Sequence, residues 1–337
     1  MFVLDSHCDT PSKIFRGRDV AEDNELAHVD FPKLRRGRVD AAFFALYIPA
    51  QLDDDEAYDY AKKLYSSLME TLSSNVGTAS LTTSVSMAYE NKEKGIFSVF
   101  IGLENGSPIA HSIDRLREFY SMGVRYMTLC HSENNEICDS CATAIKKWHG
   151  LSPFGKEVIA EMNRLGMLID VSHISDEAFY DVLTYSTKPV VATHSCCRAL
   201  SDHPRNMTDD MICALAAKGG VIQINFYPVF LDASFNDVIE ASGITDTGDE
   251  MQLRARLMSL ERPSYKRIVD HIDHVVSLVG IDHVGIGSDF DGIEVTPDGL
   301  DDISMIFKVF EEMRQRGYSE SDIEKVAAVN FFNAFSA

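Results

Sequence analysis

A surplus of basic residues is what this chain most plainly lacks. Its 337 residues carry 31 Lys and Arg against 52 Asp and Glu, a net charge of −21. Nucleic acid and anionic membrane surfaces select basic patches, so neither is an expected partner. Long apolar runs are missing too: none approaches the ~20 residues a helix needs to cross a bilayer. The first apolar run starts at Phe2, with no basic stretch or small-residue cleavage site before it, so no export signal is expected. The final residues, NFFNAFSA, are too short for a lipid-anchor tail. Seven cysteines, an odd number, then imply free thiols and a cytoplasmic location. Cys138-x-x-Cys141 has no second CxxC to complete a zinc knuckle. No glycine-rich phosphate loop follows the first run, which argues against a dinucleotide-binding sheet. With 45% hydrophobic and 25% charged residues, the composition is that of an ordinary globular protein.

What is present is a rhythm. Eight short apolar runs occur near 2–7, 41–47, 97–103, 124–130, 167–172, 189–193, 220–226 and 283–288. They are rich in β-branched and aromatic residues and do not alternate with polar ones, as expected of strands covered on both faces. Helical patterns lie between most of them. Leu64, Leu68 and Leu72 recur every four residues, and Ile113, Leu116 and Tyr120 line one face. Ser152-Pro153 supplies a cap and first-turn proline ahead of Val158, Ile159, Met162 and Leu165, and Thr208 precedes two aspartates. Eight strands alternating with helices predict a single (β/α)8 TIM-type barrel over 1–337, with an open doubly wound sheet as the other arrangement. Residues 228–262 break the rhythm with a long acidic excursion and an extra helix near DEMQLRARLMSLE. Long excursions in compact domains are commonly functional.

The polar residues collect at the run ends. The first run ends in His7 and Asp9, the third in Glu104, the fourth in His131 and the fifth in His173. The sixth ends in His194, the seventh in Tyr227 and the eighth in Asp289. In a strand, residues two apart share a side, so His7 and Asp9 present an imidazole and a carboxylate together. Barrel enzymes draw catalytic groups from the C-terminal ends of several strands. A lone histidine at such a place is commonly structural, but eight polar residues from seven runs are not explained that way. Four histidines and up to three carboxylates exceed the needs of one tetrahedral ion, and a carboxylate shared by two ions uses the surplus. Glu104, from the middle of the set, is the natural bridge. Ligand softness alone leaves zinc, manganese, cobalt and iron open.

The stretches DSHCDT, GLENG, LCHSENN, HGLSPFG, LIDVSHIS, ATHS, RNMTDD, INFY and GSDFDG occur in this order across nearly the whole chain. Together they resemble the membrane (renal) dipeptidase family of metallopeptidases, amidohydrolase-type barrels that hold two zinc ions. The resemblance implies hydrolysis of dipeptides, including those with a C-terminal D-residue. It implies that His7 and Asp9 hold one metal ion, that Glu104 bridges, and that His173 and His194 hold the second. His131 would stabilise the scissile carbonyl oxygen, Arg205 would grip the substrate carboxylate, and Asp289 would shuttle the proton. A homodimer is implied as well. The chain departs from secreted members of the family in lacking counterparts of their disulfide cysteines.

Some residues admit two readings. Asp291 repeats the spacing of Asp9 from His7, and Asp289 is preferred because it lies nearer the strand end. Arg205 can equally be a surface arginine, and Tyr227 can pack or touch substrate. His271 and His274 sit on a helix before the last run, where solvated or capping roles are expected, and His203, His28, His111 and His149 carry no positional signal. Two other functions stay open: an amidohydrolase acting on a non-dipeptide amide or ester, and a non-catalytic metal-binding protein. Barrel amidohydrolases of the first kind commonly use a bridging lysine after strand four, a place taken here by Glu104.

Overall fold

The computed structural model describes residues 1–245 and 248–337. Among the described residues nine strands form: β1 (Leu4–Cys8), β2 (Ala41–Tyr47), β3 (Ala79–Leu81), β4 (Phe97–Glu104), β5 (Val124–Thr128), β6 (Leu168–Asp170), β7 (Val191–Ser195), β8 (Val221–Ile224) and β9 (Val284–Ile286). Eight of them pair in parallel in the order β1-β2-β4-β5-β6-β7-β8-β9. Backbone bonds from Asp289 N to His7 O (3.0 Å) and from Asp9 N to Phe290 O (2.9 Å) join the last strand's loop to the first. The result is a nearly closed (β/α)8 barrel. The ninth strand, β3, pairs only with the start of β4 outside this circuit. It was not expected, because ASL is three residues long and lacks an apolar run.

Two apolar layers hold the barrel, and the alternation of β2 and β4 separates them. Ala41, Phe43 and Phe100 point inward, where they meet Tyr126, Phe331 and Phe332. Phe44, Leu46, Val99, Ile101 and Leu103 point outward against the helices, with Leu64, Leu68 and Leu72 of the 54–74 helix among their neighbours. Fully burying one such side chain contributes about 1.5–3 kcal/mol. The C-terminal helix Asn330–Ser336 plugs the lower end, and Asn330 Nδ2 donates to the carbonyls of Ile281 (2.7 Å) and Val284 (2.8 Å). With that end filled, a ligand can enter only at the C-terminal ends of the strands.

Helix starts follow the caps in the sequence. Ser152 Oγ accepts from Gly155 N at 2.8 Å, and Thr208 Oγ1 accepts from Met211 N at 3.2 Å. The 228–262 excursion forms helices Pro228–Leu231, Ser234–Ser242 and Glu250–Met258. Asp246 and Thr247, which fall within it, lie outside the described residues. Val229, Phe235, Leu257 and Val295 give the excursion a small core of its own beside the barrel mouth. Among the described residues no helix is long and apolar enough to cross a membrane, and all seven cysteines are free.

One contact ties the barrel interior to the mouth. A Cβ added at Gly102 would lie 2.2 Å from Tyr126 Cζ, so the phenol ring occupies the space a side chain would need. Tyr126 Oη in turn lies 2.8 Å from His7 Nδ1. Gly102→Ala should therefore lower unfolding stability by about 1–3 kcal/mol, the usual cost of overpacking. Denaturant unfolding checks the stability, and metal titration checks whether displaced Tyr126 weakens binding at His7.

Candidate metal centre and active site

Glu104, the last residue of β4, stands at the middle of the mouth. Its Oε2 lies 3.5 Å from His7 Nε2. Its Oε1 lies 3.1 Å from His173 Nε2, 3.4 Å from His194 Nε2 and 3.7 Å from His131 Nε2. Asp9 Oδ2 is 3.6 Å from His7 Nε2. Among the described residues three overlapping groups have geometry suited to an ion: His7 with Asp9 and Glu104, Glu104 with His173 and His194, and His7 with His194 and Asp289.

The strands deliver these residues in different ways. Glu104 ends its strand, and His194 lies within β7. His131, His173, Tyr227 and Asp289 each lie three residues beyond the observed strand end, in the following loop. The strands are shorter than their apolar runs because these segments leave the sheet to turn side chains inward. His173 (φ 71°) and Asp289 (φ 64°) adopt left-handed backbone that non-glycine residues rarely accept. Such strain costs about 1–3 kcal/mol per residue and gathers at functional sites. His7 and Asp9 also meet by a different route from strand alternation. β1 breaks register between Asp5 and Cys8, and Asp9 lies past the strand at φ −88° and ψ 23°.

Burial keeps three of the four histidines neutral, the form in which an imidazole can ligate a metal ion. Burial pushes the Asp289 carboxyl up to about 7, and burial with the charge of Glu104 pushes Asp9 up to about 6. Burial lowers His173 and His194 well below the ordinary histidine value, with the charge of Arg205 adding to it. Burial lowers His131 to about 4, again with Arg205 contributing. His7 alone moves up: burial opposes its charge, but Glu104 and Asp9 outweigh it. His7 Nε2, Asp9 Oδ1 and Glu104 Oε2 are buried without a hydrogen-bond partner. His173 Nε2 and His194 Nε2 face each other at 2.9 Å. Buried donors and acceptors are normally satisfied. Unpaired nitrogen and carboxylate atoms converging on one space fit divalent cations.

Arg205 is not a surface arginine. It is buried, with Nη1 donating to Ser195 Oγ (2.8 Å) and Nη2 to His194 O (2.7 Å), while Nε has no partner. Its guanidinium carbon lies 5.6 Å from the centre of the Phe230 ring, and Phe230 lines the cavity over the site. That cavity, about 630 Å³, is also lined by His131, His173, Asp289 and Tyr227. Tyr227 meets Phe230 edge to face at 5.0 Å, and burial raises its phenol.

The two aspartates after β9 separate clearly. Asp289 Oδ2 accepts from Asn225 Nδ2 at 2.9 Å and faces the histidines. Asp291 accepts from Arg18 Nη1 at 2.6 Å and Thr10 Oγ1 at 3.0 Å, and its backbone N–H donates to His28 Nδ1 at 3.0 Å. Between them and the mouth, a Cβ at Gly292 would lie 2.0 Å from Asp9 Oδ2 and 2.5 Å from Asp289 Oδ1. Only glycine allows that close approach.

His271 is corrected from a solvated residue to a buried one. Its Nδ1 accepts from Cys197 N (3.0 Å), and its Nε2 lies 3.1 Å from Leu231 O. His274 pairs with Asp209 at 2.8 Å, at the start of the 209–217 helix. His203 Nδ1 accepts from Arg205 N at 3.1 Å.

Sequence reasoning missed Tyr47, which lines the cavity with its ring 4.9 Å from His131 and its phenol pushed up to about 12 by burial. It also missed the supporting residues Tyr126, Asp170, Thr193 and Asn225. A signal existed for one of them: Asp170 is the one charged residue in the run 167–172.

The whole chain, residues 1–337, matches the family model described as membrane dipeptidase, peptidase family M19. The chain belongs to the membrane dipeptidase family. A relative, dipeptidase verJ of Clonostachys rogersoniana, is 33% identical over 318 residues, covering 90% of this chain and 74% of its own. Dipeptidase tcpJ of Claviceps purpurea is 32% identical, covering 90% of this chain and 67% of its own. Among solved structures, the probable dipeptidase PvdM from Pseudomonas aeruginosa superposes with a TM-score of 0.89 at 28% identity. That match covers 99% of this chain and 94% of PvdM. Family membership makes the chain a metallopeptidase, and the groups around Glu104 could hold metal ions.

Proposed function

We propose that this protein is a binuclear metal-dependent dipeptidase, cleaving the single peptide bond of short substrates, L,D-dipeptides included. The observation that carries the reading is Glu104, whose two oxygens face different ligand groups. His7 and Asp9 would hold one ion, His173 and His194 the other, and Glu104 both. Two divalent ions, taken as zinc from the family resemblance, would when bound activate a water by lowering its pKa from 15.7 toward roughly 7.

The chain's own side chains supply the rest. His131, at the cavity wall, is placed to donate a hydrogen bond to the carbonyl oxygen as charge develops there. Asp289 accepts the water's proton and returns it to the leaving amine, a role suited to a carboxyl that burial moves toward neutrality. Arg205 uses two of its five N–H donors within the protein, which leaves three for a substrate carboxylate. Phe230 and Tyr227 provide the apolar surface beside that clamp. A verJ-like dipeptidase activity agrees with a cavity closed below and clamped at one end.

Arg205 provides the test. A charge-assisted hydrogen bond is worth roughly 1.5–3 kcal/mol, about 10–150-fold in kcat/KM if made in the transition state. Wild type should therefore turn over a free dipeptide at least 10-fold faster than its C-terminal amide or the matching tripeptide. Arg205→Ala should erase most of that preference. Equal turnover of all three by wild type would exclude the clamp and favour a general amidohydrolase.

A further inference from the structure

Asp170 ends β6 fully buried, outside the three candidate ligand groups at the mouth. Four donors surround its carboxylate: Oδ1 accepts from Ser172 N (3.0 Å) and Thr193 N (2.9 Å), and Oδ2 from the hydroxyls of Thr128 (2.6 Å) and Thr193 (2.7 Å). These bonds tie β5, β6 and β7 together at the mouth. An amide could tie the strands as well, so cross-strand bonding alone does not call for a buried carboxylate.

The direction of the bonds does. Thr193 Oγ1 also lies 2.8 Å from His194 Nδ1. β7 breaks register with β8 between Ala192 and Ser195, and these two consecutive side chains meet there. A threonine hydroxyl has one proton, and a carboxylate surrounded by donors only accepts. Thr193 therefore commits its proton to Asp170 and can only accept from His194. The ring proton of His194 must then sit on Nδ1. Its Nε2 lone pair is left facing Glu104 Oε1 at 3.4 Å and His173 Nε2 at 2.9 Å.

We infer that Asp170 is a positioning residue that sets the tautomer of His194 through Thr193, holding Nε2 free as a metal donor. This rests on the reading of His194 as a ligand. The partner on the far nitrogen of a ligating histidine fixes which nitrogen is available, and losing such a partner typically costs 10–100-fold in metal affinity. Asp170→Asn reverses the relay. Its amide donates to Thr193, and the freed hydroxyl proton turns to His194 Nδ1, which moves the ring proton to Nε2.

The test begins with metal-free, 15N-labelled protein and histidine ring 1H–15N correlation spectra, with His194 assigned by its absence in His194→Gln. Wild type should show His194 protonated at Nδ1, and Asp170→Asn should show it at Nε2. In zinc titrations against a competing chelator, Asp170→Asn should weaken one of two binding steps about 10–100-fold and spare the other. Thr193→Val, which cannot relay, should show the same weakening, while Thr193→Ser should keep wild-type affinity. If Asp170→Asn does not fold, the Val and Ser variants of Thr193 carry the comparison. An unchanged tautomer with unchanged affinity in Asp170→Asn, or equal affinities for Thr193→Val and Thr193→Ser, would overturn the inference. Wild type with the expected tautomer and no cleavage of dipeptides would instead refute the dipeptidase reading and leave the relay standing.

Discussion

Glu104→Gln should remove metal from both sides of the centre at once and lower dipeptide turnover by more than about 10³-fold. Its Oε1 faces His173 and His194 while its Oε2 faces His7, so among the described residues Glu104 is the carboxylate common to the His7–Asp9 and His173–His194 groups. An amide of the same shape offers one acceptor oxygen and an NH2 group that cannot ligate. It also removes one negative charge from a buried cluster that must neutralise two dications. The large activity loss follows from the water: its ordinary pKa is 15.7, and the fall to roughly 7 depends on the ions staying bound. Elemental analysis after dialysis should find well under one ion per chain in Glu104→Gln, against two in wild type. His173→Ala should lose mainly one. A Glu104→Gln protein that keeps two ions, or a wild type that never exceeds one after reconstitution, would rule out the shared-carboxylate arrangement. Circular dichroism separates metal loss from unfolding, since the substitution changes only the side chain and leaves the backbone pairing of Glu104 with Tyr47 and Thr128 in place.

The barrel was legible in the sequence because its strands are covered on both faces. Runs such as AAFFALY and FSVFIGLE have no alternation to confuse with an exposed sheet, and turn residues bound them. β3 was not legible, since three residues with one fully buried side chain carry no pattern. The site residues were legible as single polar letters at the ends of apolar runs. How they reach the mouth was not. The left-handed turns at His173 and Asp289 and the break of register in β1 are properties of backbone geometry that no hydropathy pattern encodes. The supporting layer escaped for a related reason. Asp170 and Tyr126 lie inside runs counted as strand, and their partners, Thr193 and His7, are distant in sequence. His271 misled because a helix before the last strand ordinarily has a wet face. Here the excursion after β8 brings the carbonyl of Leu231 over that face and buries the ring.

Asp289→Asn should bind metal and substrate as wild type does but turn over about 10²–10⁴-fold more slowly, the usual range for losing a positioned proton carrier. Asn225 Nδ2 holds Asp289 Oδ2 at 2.9 Å, and the left-handed turn at φ 64° aims the carboxylate at His7 and His194. Asparagine tolerates that backbone better than most residues, so the substitution isolates the proton from the fold. Because the change acts on a proton transferred during reaction, the loss should appear in kcat, with KM within a few-fold of wild type. Asp291 supplies the control. Its carboxylate is committed to Arg18 and Thr10, and its backbone to His28, so its part is to hold the loop. Asp291→Asn should lower unfolding stability by about 1.5–3 kcal/mol, the range for a hydrogen bond to a charged group. Its kcat should fall less than 10-fold, well under the lower bound for Asp289→Asn. Steady-state kinetics and denaturant unfolding of the two variants side by side decide the assignment. A fully active Asp289→Asn beside a dead but stable Asp291→Asn would transfer the proton role to Asp291. Two inactive, metal-loaded and stable variants would mean that the loop's shape, and not one carboxyl group, limits the reaction.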